Sequence, residues 1–437
     1  MHIVLLSGGS GKRLWPLSNE IRSKQFIKFF KKEDGTYESM LQRVHRQILA
    51  VDPNATITIA TSSTQVSAIH NQLGLDVGIS VEPCRRDTFP AIALAASYMH
   101  DIQGVGEEEA VVVCPVDPFV DDDYFSMLEQ LGLQAQQGST NLVLLGIKPT
   151  YPSEKYGYII PSDAQQVSKV STFKEKPDCT TAQTYIEMGA LWNAGVFAFK
   201  LGYLLRKAHQ LIDFIDYHDL YAKYWTLKKI SFDYAVAENE AAIEVMRYSG
   251  QWKDLGTWNT LTEAMSEPII GEGRMDESCE QVHIINELGI PVLAMGLRDV
   301  IVCAGAQGIL VSDKTKSSFI KPFVDAMDQR IMFAEKSWGN FKILDVGAES
   351  LTIKLTIKAG RRMRYHSHQS RAEVWTIIEG TGRVVLDGQT LEVHAGSVIS
   401  LPVGCRHTII AKTELKLMEI QMGKDITIED KQKFHLD

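Results

Sequence analysis

Residues 7 to 26 read SGGSGKRLWPLSNEIRSKQF and follow directly on the apolar run Ile3 to Leu6. Glycine adopts φ > 0 and puts no side chain in the way, so the N–H groups around Gly8, Gly9 and Gly11 can converge on an anion that Lys12, Arg13 and Lys24 would neutralise. The pattern is neither the GxxxxGK[ST] phosphate loop nor the dinucleotide GxGxxG. On its glycines alone it reads equally well as a tight turn with a solvated Lys-Arg pair. A second group of residues could do different chemistry. His366 and His368 alternate on one strand and so point to the same side of it. Glu373 on the next strand and His407 on a later one would complete a three-histidine, one-carboxylate set suited to Zn, Mn, Fe or Ni. The alternative is a β-barrel with two surface histidines.

Distinct parts of the chain must position these groups. Up to about residue 150, the buried runs Ile3 to Leu6, Thr56 to Ala60, Ala110 to Cys114 and Leu142 to Gly146 alternate with helical-period stretches such as FPAIALAASYMHD, residues 89 to 101. That alternation predicts an α/β domain with a mixed, mostly parallel sheet, which binds ligands at the carboxyl ends of its strands. Residues 272 to 326 offer short β runs without an intervening helix. From 340 to 422, alternating strands bounded by glycines predict a β-barrel, with a hairpin at Asp387-Gly388. The expected domains are therefore 1–270, 271–330 and 331–437.

With 437 residues the chain exceeds one ordinary core. At 45% hydrophobic and 23% charged it has the composition of a globular protein. A formal net charge of -9 argues against nucleic acid or an anionic membrane surface as general partner, so phosphate binding must be local. Six cysteines without CxxC spacing fit reduced thiols. The short opening apolar run is no signal peptide or membrane span, and a cytoplasmic location is expected. The β parts make a homodimer an expectation as well.

The stretch GGSGKRLWPLSNEIRSKQF closely resembles the signature of the sugar-1-phosphate nucleotidyltransferases, and Trp15 with Lys24-Gln25-Phe26 resembles the mannose-1-phosphate guanylyltransferase branch. EPCRRDTFPAIALAA, VVVCPVD, GIKPTYPSEKYGYI, FKEKPD, WNAGVF, SFDYAVAE and WKDLGTW follow in the expected order over residues 1 to 265. The resemblance implies a Rossmann-like domain that transfers a guanylyl group from GTP to mannose 1-phosphate with Mg²⁺. It implies that Leu6, Gly8, Gly9, Gly11, Lys12, Arg13, Lys24 and Arg86 bind the nucleotide. It further implies that Gly157, Glu175, Lys176 and Asn193 bind the sugar phosphate, and that Asp117 and Asp254 hold the metal. Each residue has a plainer reading: Asp117 as a turn or cap residue, the lysines as solvated surface groups, Asn193 as a turn cap, Arg86 as a partner of Asp121 to Asp123. Ser23, Asp87, Pro118 and Lys155-Tyr156 depart from the family pattern, which leaves open a cytidylyl or heptose-phosphate enzyme, or a non-catalytic sugar-nucleotide-binding protein.

GRRMRYHSHQSRAEVWTIIEG, residues 360 to 380, matches the first cupin motif G-x5-H-x-H-x4-E-x6-G, and Gly396, Pro402, Gly404 and His407 match the second. RAEVW further resembles the type II phosphomannose isomerase form of the cupin, which implies a metal-dependent mannose-6-phosphate isomerase. Here too the chain departs from the family. His366 stands where Gln is common, Gln369, Ser370 and Val374 stand where His is common, and EDKQKFHLD stands where the family has an acidic-aromatic-arginine tail. An inactive structural or sugar-binding cupin is the other reading.

Overall fold

The structure, a computed structural model, describes residues 1–437 except 10, 11, 20, 139, 328, 329, 425, 428, 429 and 437. It divides into two compact units. One comprises Met1–Ser10, Lys24–Val66 and Leu73–Ser266; the other comprises Gly11–Ser23, Ser67–Gln72 and Glu267–Asp437. Residues 271–330 and 331–437 thus fall in the same unit, and the segment Gly11–Ser23 joins them there. Among the described residues, no helix is long and apolar enough to cross a membrane.

The first unit is built on a nine-stranded sheet. In spatial order its strands are Gly78–Glu82, Thr56–Ser62, His2–Leu6, Ala110–Pro115, Leu191–Lys200, Leu142–Ile147, Ile243–Tyr248, Val167–Lys174 and Tyr158–Pro161. The four strands at the Gly78–Glu82 end pair in parallel, and Leu191–Lys200 enters antiparallel between Ala110–Pro115 and Leu142–Ile147. The sheet is therefore mixed, as its sequence predicts. Val111 to Cys114 are all at most 1% exposed, which is why this strand reads as an unbroken apolar run. The helix Thr88–Asp101 is buried from Phe89 to Ser97, and its apolar periphery covers the sheet. The Asp87 carboxylate accepts from the Thr88 N–H at its start. A separate two-stranded ribbon pairs Pro118–Val120 with Trp252–Asp254, placing Asp254 directly opposite Pro118.

In the second unit, Ile269–Ile270, His283–Asn286, Val300–Gly305 and Gly308–Asp313 form one sheet, the first three strands in parallel. The helix-free reading of residues 272–326 needs correction. A 3-10 turn at Lys316–Phe319 leads into the helix Lys321–Ala326, where proline in the first turn presets the helical φ and loses no needed N–H. Beyond it, two antiparallel sheets of six and five strands enclose an apolar core around Trp375, Ile357, Val384, Ile409 and Leu417, all fully buried. The predicted hairpin is present: Thr381–Leu386 pairs with Gln389–His394 across Asp387 and Gly388, whose φ values of 45° and 86° are those of a type I′ turn.

Candidate functional site

Asp117 lies two residues past the end of the buried strand Ala110–Pro115, at its carboxyl edge. The ribbon register brings Asp254 beside it. Both carboxylates converge on one ammonium: Lys24 Nζ lies 2.8 Å from Asp117 Oδ2 and 3.6 Å from Asp254 Oδ1. A cavity of about 210 Å³ opens here, lined by Asp117, Asp254, Tyr156, Gly157, Glu175, Asn193, Asp233 and Trp252. Of the sequence-predicted residues, Asp117, Asp254, Gly157, Glu175 and Asn193 line this cavity, and Lys176 is not among the residues that line it.

Local backbone features aim the side chains. Asn193 sits where the register of Leu191–Lys200 against Leu142–Ile147 shifts, and such a bulge re-aims side chains. Its N–H donates to the Gly157 carbonyl at 2.8 Å and its Nδ2 to Asp233 Oδ1 at 2.6 Å. A Cβ at Gly157 would fall 2.5 Å from Glu175 Oε2, so only glycine admits that carboxylate. Lys176 has φ = 45°, an uncommon value for a residue with a side chain, and pairs with Glu175. Strain of this kind is characteristic of ligand sites. Tyr156 packs against Trp192 and Trp252, with ring centroids 4.9 and 5.7 Å away, forming an aromatic wall.

Asp233 is the residue the sequence reading missed. It lies in the matched block SFDYAVAE, but an acid in the first turn of the short helix Phe232–Ala235 reads as an ordinary helix residue. Burial, and then the nearby Glu175 charge, push its carboxyl up to about 6. A folded pKa above the unfolded value favours folding below the unfolded pKa, and that advantage is lost as pH rises through about 6. Asp233→Asn should accordingly raise the melting temperature of the first unit at pH 8, where the ionised group costs roughly 3 kcal/mol, and the gain should vanish near pH 4. Melting curves of variant and wild type that run parallel from pH 4 to 8 would remove this account.

The remaining predicted nucleotide residues are placed as follows. Gly11 lies outside the described residues. Leu6 ends the strand His2–Leu6, and Gly8 and Gly9 follow it, with the Gly9 carbonyl accepting from Gln65 Nε2 at 3.3 Å. Lys12 and Arg13 stand on a 3-10 turn of the second unit, where Lys12 pairs with Asp325 at 3.0 Å. Arg86 donates to the carbonyls of Trp225 and Arg85. In the acidic run, Asp121 accepts from the Gln251 N–H and Asp122 from Gln47 Nε2.

The cupin cluster is compact. His366 pairs with His407 across two strands, and the ligand atoms of His366, His368 and His407 lie within 4.8 Å of one another. Arg371, Glu373, Trp375 and Ile377 alternate inward along one strand, and Leu415, Leu417, Glu419 and Gln421 do so along its neighbour. Glu373 thus reaches His368 Nε2 at 3.1 Å and His407 Nε2 at 3.5 Å. Each histidine turns its Nδ1 to a backbone carbonyl, of Arg364, Asp430 and Cys405 respectively. A carbonyl only accepts, so Nδ1 carries a proton and Nε2 is the ring atom left for the centre. His407 Nε2 is buried with no hydrogen-bond partner. Burial, and then neighbouring positive charge, hold His366 well below its ordinary pKa, hence neutral. Three clustered imidazoles and a carboxylate fit a divalent transition metal. Arg371 Nη2 donates to His368 Nε2 at 3.1 Å, so an incoming ion displaces that one bond. The sequence reading missed Arg371 and Glu419. Burial, then the Glu373 charge, push Glu419 up to about 8.

At the first site, two carboxylates converging on a point already held by a cation fit Mg²⁺, which takes few protein oxygens and completes its shell with water and phosphate.

Residues 2–268 match the nucleotidyl transferase family, and residues 326–435 match the mannose-6-phosphate isomerase C-terminal family. Among curated relatives, the chain is 29% identical to the xanthan biosynthesis protein XanB of Xanthomonas campestris over 99% of its length and 97% of that protein. It is 28% identical to the mannose-1-phosphate guanylyltransferase of Escherichia coli K12 over 99% of its length and 98% of that protein. A solved structure from Thermus thermophilus, titled a mannose-1-phosphate geranyltransferase, superimposes with a TM-score of 0.62 at 27% identity, covering 74% of this chain and 98% of that one. The chain belongs to the nucleotidyl transferase family, and a mannose-6-phosphate isomerase C-terminal domain completes it.

Proposed function

We propose that this nucleotidyltransferase moves a guanylyl group from GTP to mannose 1-phosphate, giving GDP-mannose and pyrophosphate for polysaccharide synthesis in the cytoplasm. On this reading residues 1–270 carry the transfer, 271–330 form a β module and 331–437 a cupin. The supporting observation is that Asp117, Asp254 and Lys24 converge at the cavity that Gly157, Glu175 and Asn193 line. The names of the full-length relatives supply the base and the sugar.

In the reaction, a phosphate oxygen of the sugar phosphate bonds to the α-phosphorus, and the bond from that phosphorus to the oxygen bridging it to the β-phosphorus breaks. Asp117 and Asp254 would hold Mg²⁺, which would supply neutralisation of the charge spread over the transferred and leaving groups. Lys24 orients the triphosphate and Lys176 the sugar phosphate. Glu175 and Asn193 accept from and donate to sugar hydroxyls against the floor at Gly157. The roles of Leu6, Gly8, Gly9, Gly11, Lys12, Arg13 and Arg86 on the nucleotide rest on the motif alone. Because four carboxylates line the cavity, two anionic substrates meet there only with added cations, which makes the metal integral to binding.

We further infer that the cupin interconverts mannose 6-phosphate and fructose 6-phosphate, a reading favoured by the three clustered imidazoles. One assay series tests both readings. Pyrophosphate release is measured for four NTPs against several sugar 1-phosphates, and fructose 6-phosphate formation is measured with and without a chelator. GTP with mannose 1-phosphate should give the highest kcat/KM. A cytidylyl or heptose-phosphate preference would replace the first assignment, and chelator-insensitive or absent isomerisation would remove the second.

A further inference from the structure

The three histidines are oriented by different means. His366 and His407 each use the carbonyl two residues earlier, at 2.6 and 3.0 Å, so their own strands fix their rings. His368 uses the carbonyl of Asp430, 62 residues later in the chain. Asp430 is attached to the histidine strand by more than this contact. Its Oδ1 accepts from the Gln369 N–H at 2.8 Å and its Oδ2 from the Ser370 N–H at 3.0 Å, so its side chain grips the backbone just after His368.

The segment around Asp430 is anchored on both sides. Thr427 receives Arg371 Nη1 on its carbonyl at 2.8 Å, and Arg371 is the residue that meets His368 Nε2. Gln432–Lys433 pairs with His366–Ser367 as an added strand, bringing Lys433 opposite His366. The Phe434 N–H donates to the Tyr365 carbonyl at 2.9 Å, and its ring lies under the Arg406 guanidinium, 4.2 Å from the centroid. Residues 430 to 434, DKQKF, which by composition resemble a solvated stretch, are thus tied to the strand His366–Ser367, which carries one of the three histidines and ends next to another.

We propose that this strap is part of the metal site, with Asp430 a positioning residue that fixes the tautomer and direction of His368, so that metal retention depends on it. The proposal rests on reading the histidine cluster as a metal site. Groups that orient a ligating histidine commonly set metal affinity by about 10- to 100-fold. Here that control is exercised by a segment remote in sequence, whereas the other two ligands take their Nδ1 acceptors from the residues two positions before them.

The test uses the full chain, stripped with a chelator and titrated with Co²⁺ alone, reading both the dissociation constant and the d–d absorption of imidazole-bound cobalt. His407→Ala defines the signal belonging to this site. Asp430→Ala should weaken binding about 10- to 100-fold and alter the d–d band, because the carbonyl that meets His368 loses the side-chain anchor on Gln369 and Ser370 that positions it. Asp430→Asn, which keeps one amide acceptor, should fall between. Phe434→Ala, which loosens the strap at Tyr365 and Arg406 but leaves the Asp430 contacts in place, should weaken binding less than Asp430→Ala. If Asp430→Ala lowers the melting temperature of the unit, Asp430→Asn decides the outcome by its spectrum. Wild-type affinity and an unchanged band in both Asp430 variants, with the wild type holding cobalt, overturn the strap's role. A wild-type chain with no cobalt signal that His407→Ala removes overturns the metal reading itself, and the proposal with it.

Discussion

Asp254→Ala lowers turnover at saturating substrates by on the order of 10³-fold, about 4 kcal/mol of lost transition-state stabilisation. The side chain is one of two carboxylates set at a single cation-sized point by the ribbon of Pro118–Val120 and Trp252–Asp254, and it is 43% exposed. Truncating it leaves no cavity in a core, and the ribbon's backbone pairing survives, so folding should be unaffected. Asp117 alone cannot restore the metal's second protein oxygen. The decisive measurements are steady-state pyrophosphate release and a melting curve on the same preparation. A variant that melts normally and turns over within tenfold of wild type would show that the two aspartates are not the metal site.

Lys176→Ala has a different signature. The KM for the sugar 1-phosphate rises about 10²-fold while the KM for the nucleotide moves by less than about twofold, as expected for one charge-assisted contact of about 1.5–3 kcal/mol. Lys176 extends from a left-handed backbone position next to Glu175, and its half-exposed side chain is supported by few neighbours, so its loss is local. Initial rates with each substrate varied in turn separate the two constants. Equal increases in both would move Lys176 from the sugar phosphate to the triphosphate.

The parts of this molecule that sequence makes legible are those in which one physical requirement dominates. Val111 to Cys114 are buried on both faces, and nothing but a central strand accounts for that run. Asp387-Gly388 supplies the two positive φ values that a two-residue hairpin demands. The cupin spacing encodes a register, so the facing of His366 and His407 was implicit in it. Asp233 was hidden because its neighbours give it a second, ordinary explanation as a helix-start acid. The strap was hidden because its partners, the Gln369 and Ser370 N–H groups, the strand His366–Ser367 and Arg406, lie far from it in sequence. At one of the departures, Asp87 stands at φ = 70° and ψ = −176°, a backbone region nearly reserved for glycine, and its carboxylate accepts from the first N–H of the following helix. The grouping of Gly11–Ser23 with the second unit depends on contacts distant in sequence, such as Arg22 with Glu287, which no motif records.

The ammonium of Lys24 between Asp117 and Asp254 neutralises one of the two carboxylate charges in the resting site. Metal arriving alone must compete with an internal counter-ion, while a triphosphate that draws Lys24 toward itself vacates the carboxylates as it binds. Nucleotide and Mg²⁺ are then heterotropic partners whose mutual enhancement is equal in both directions, because linkage is reciprocal. On the proposed assignment, such a site should discriminate against free metal and against bare nucleotide and admit the two together.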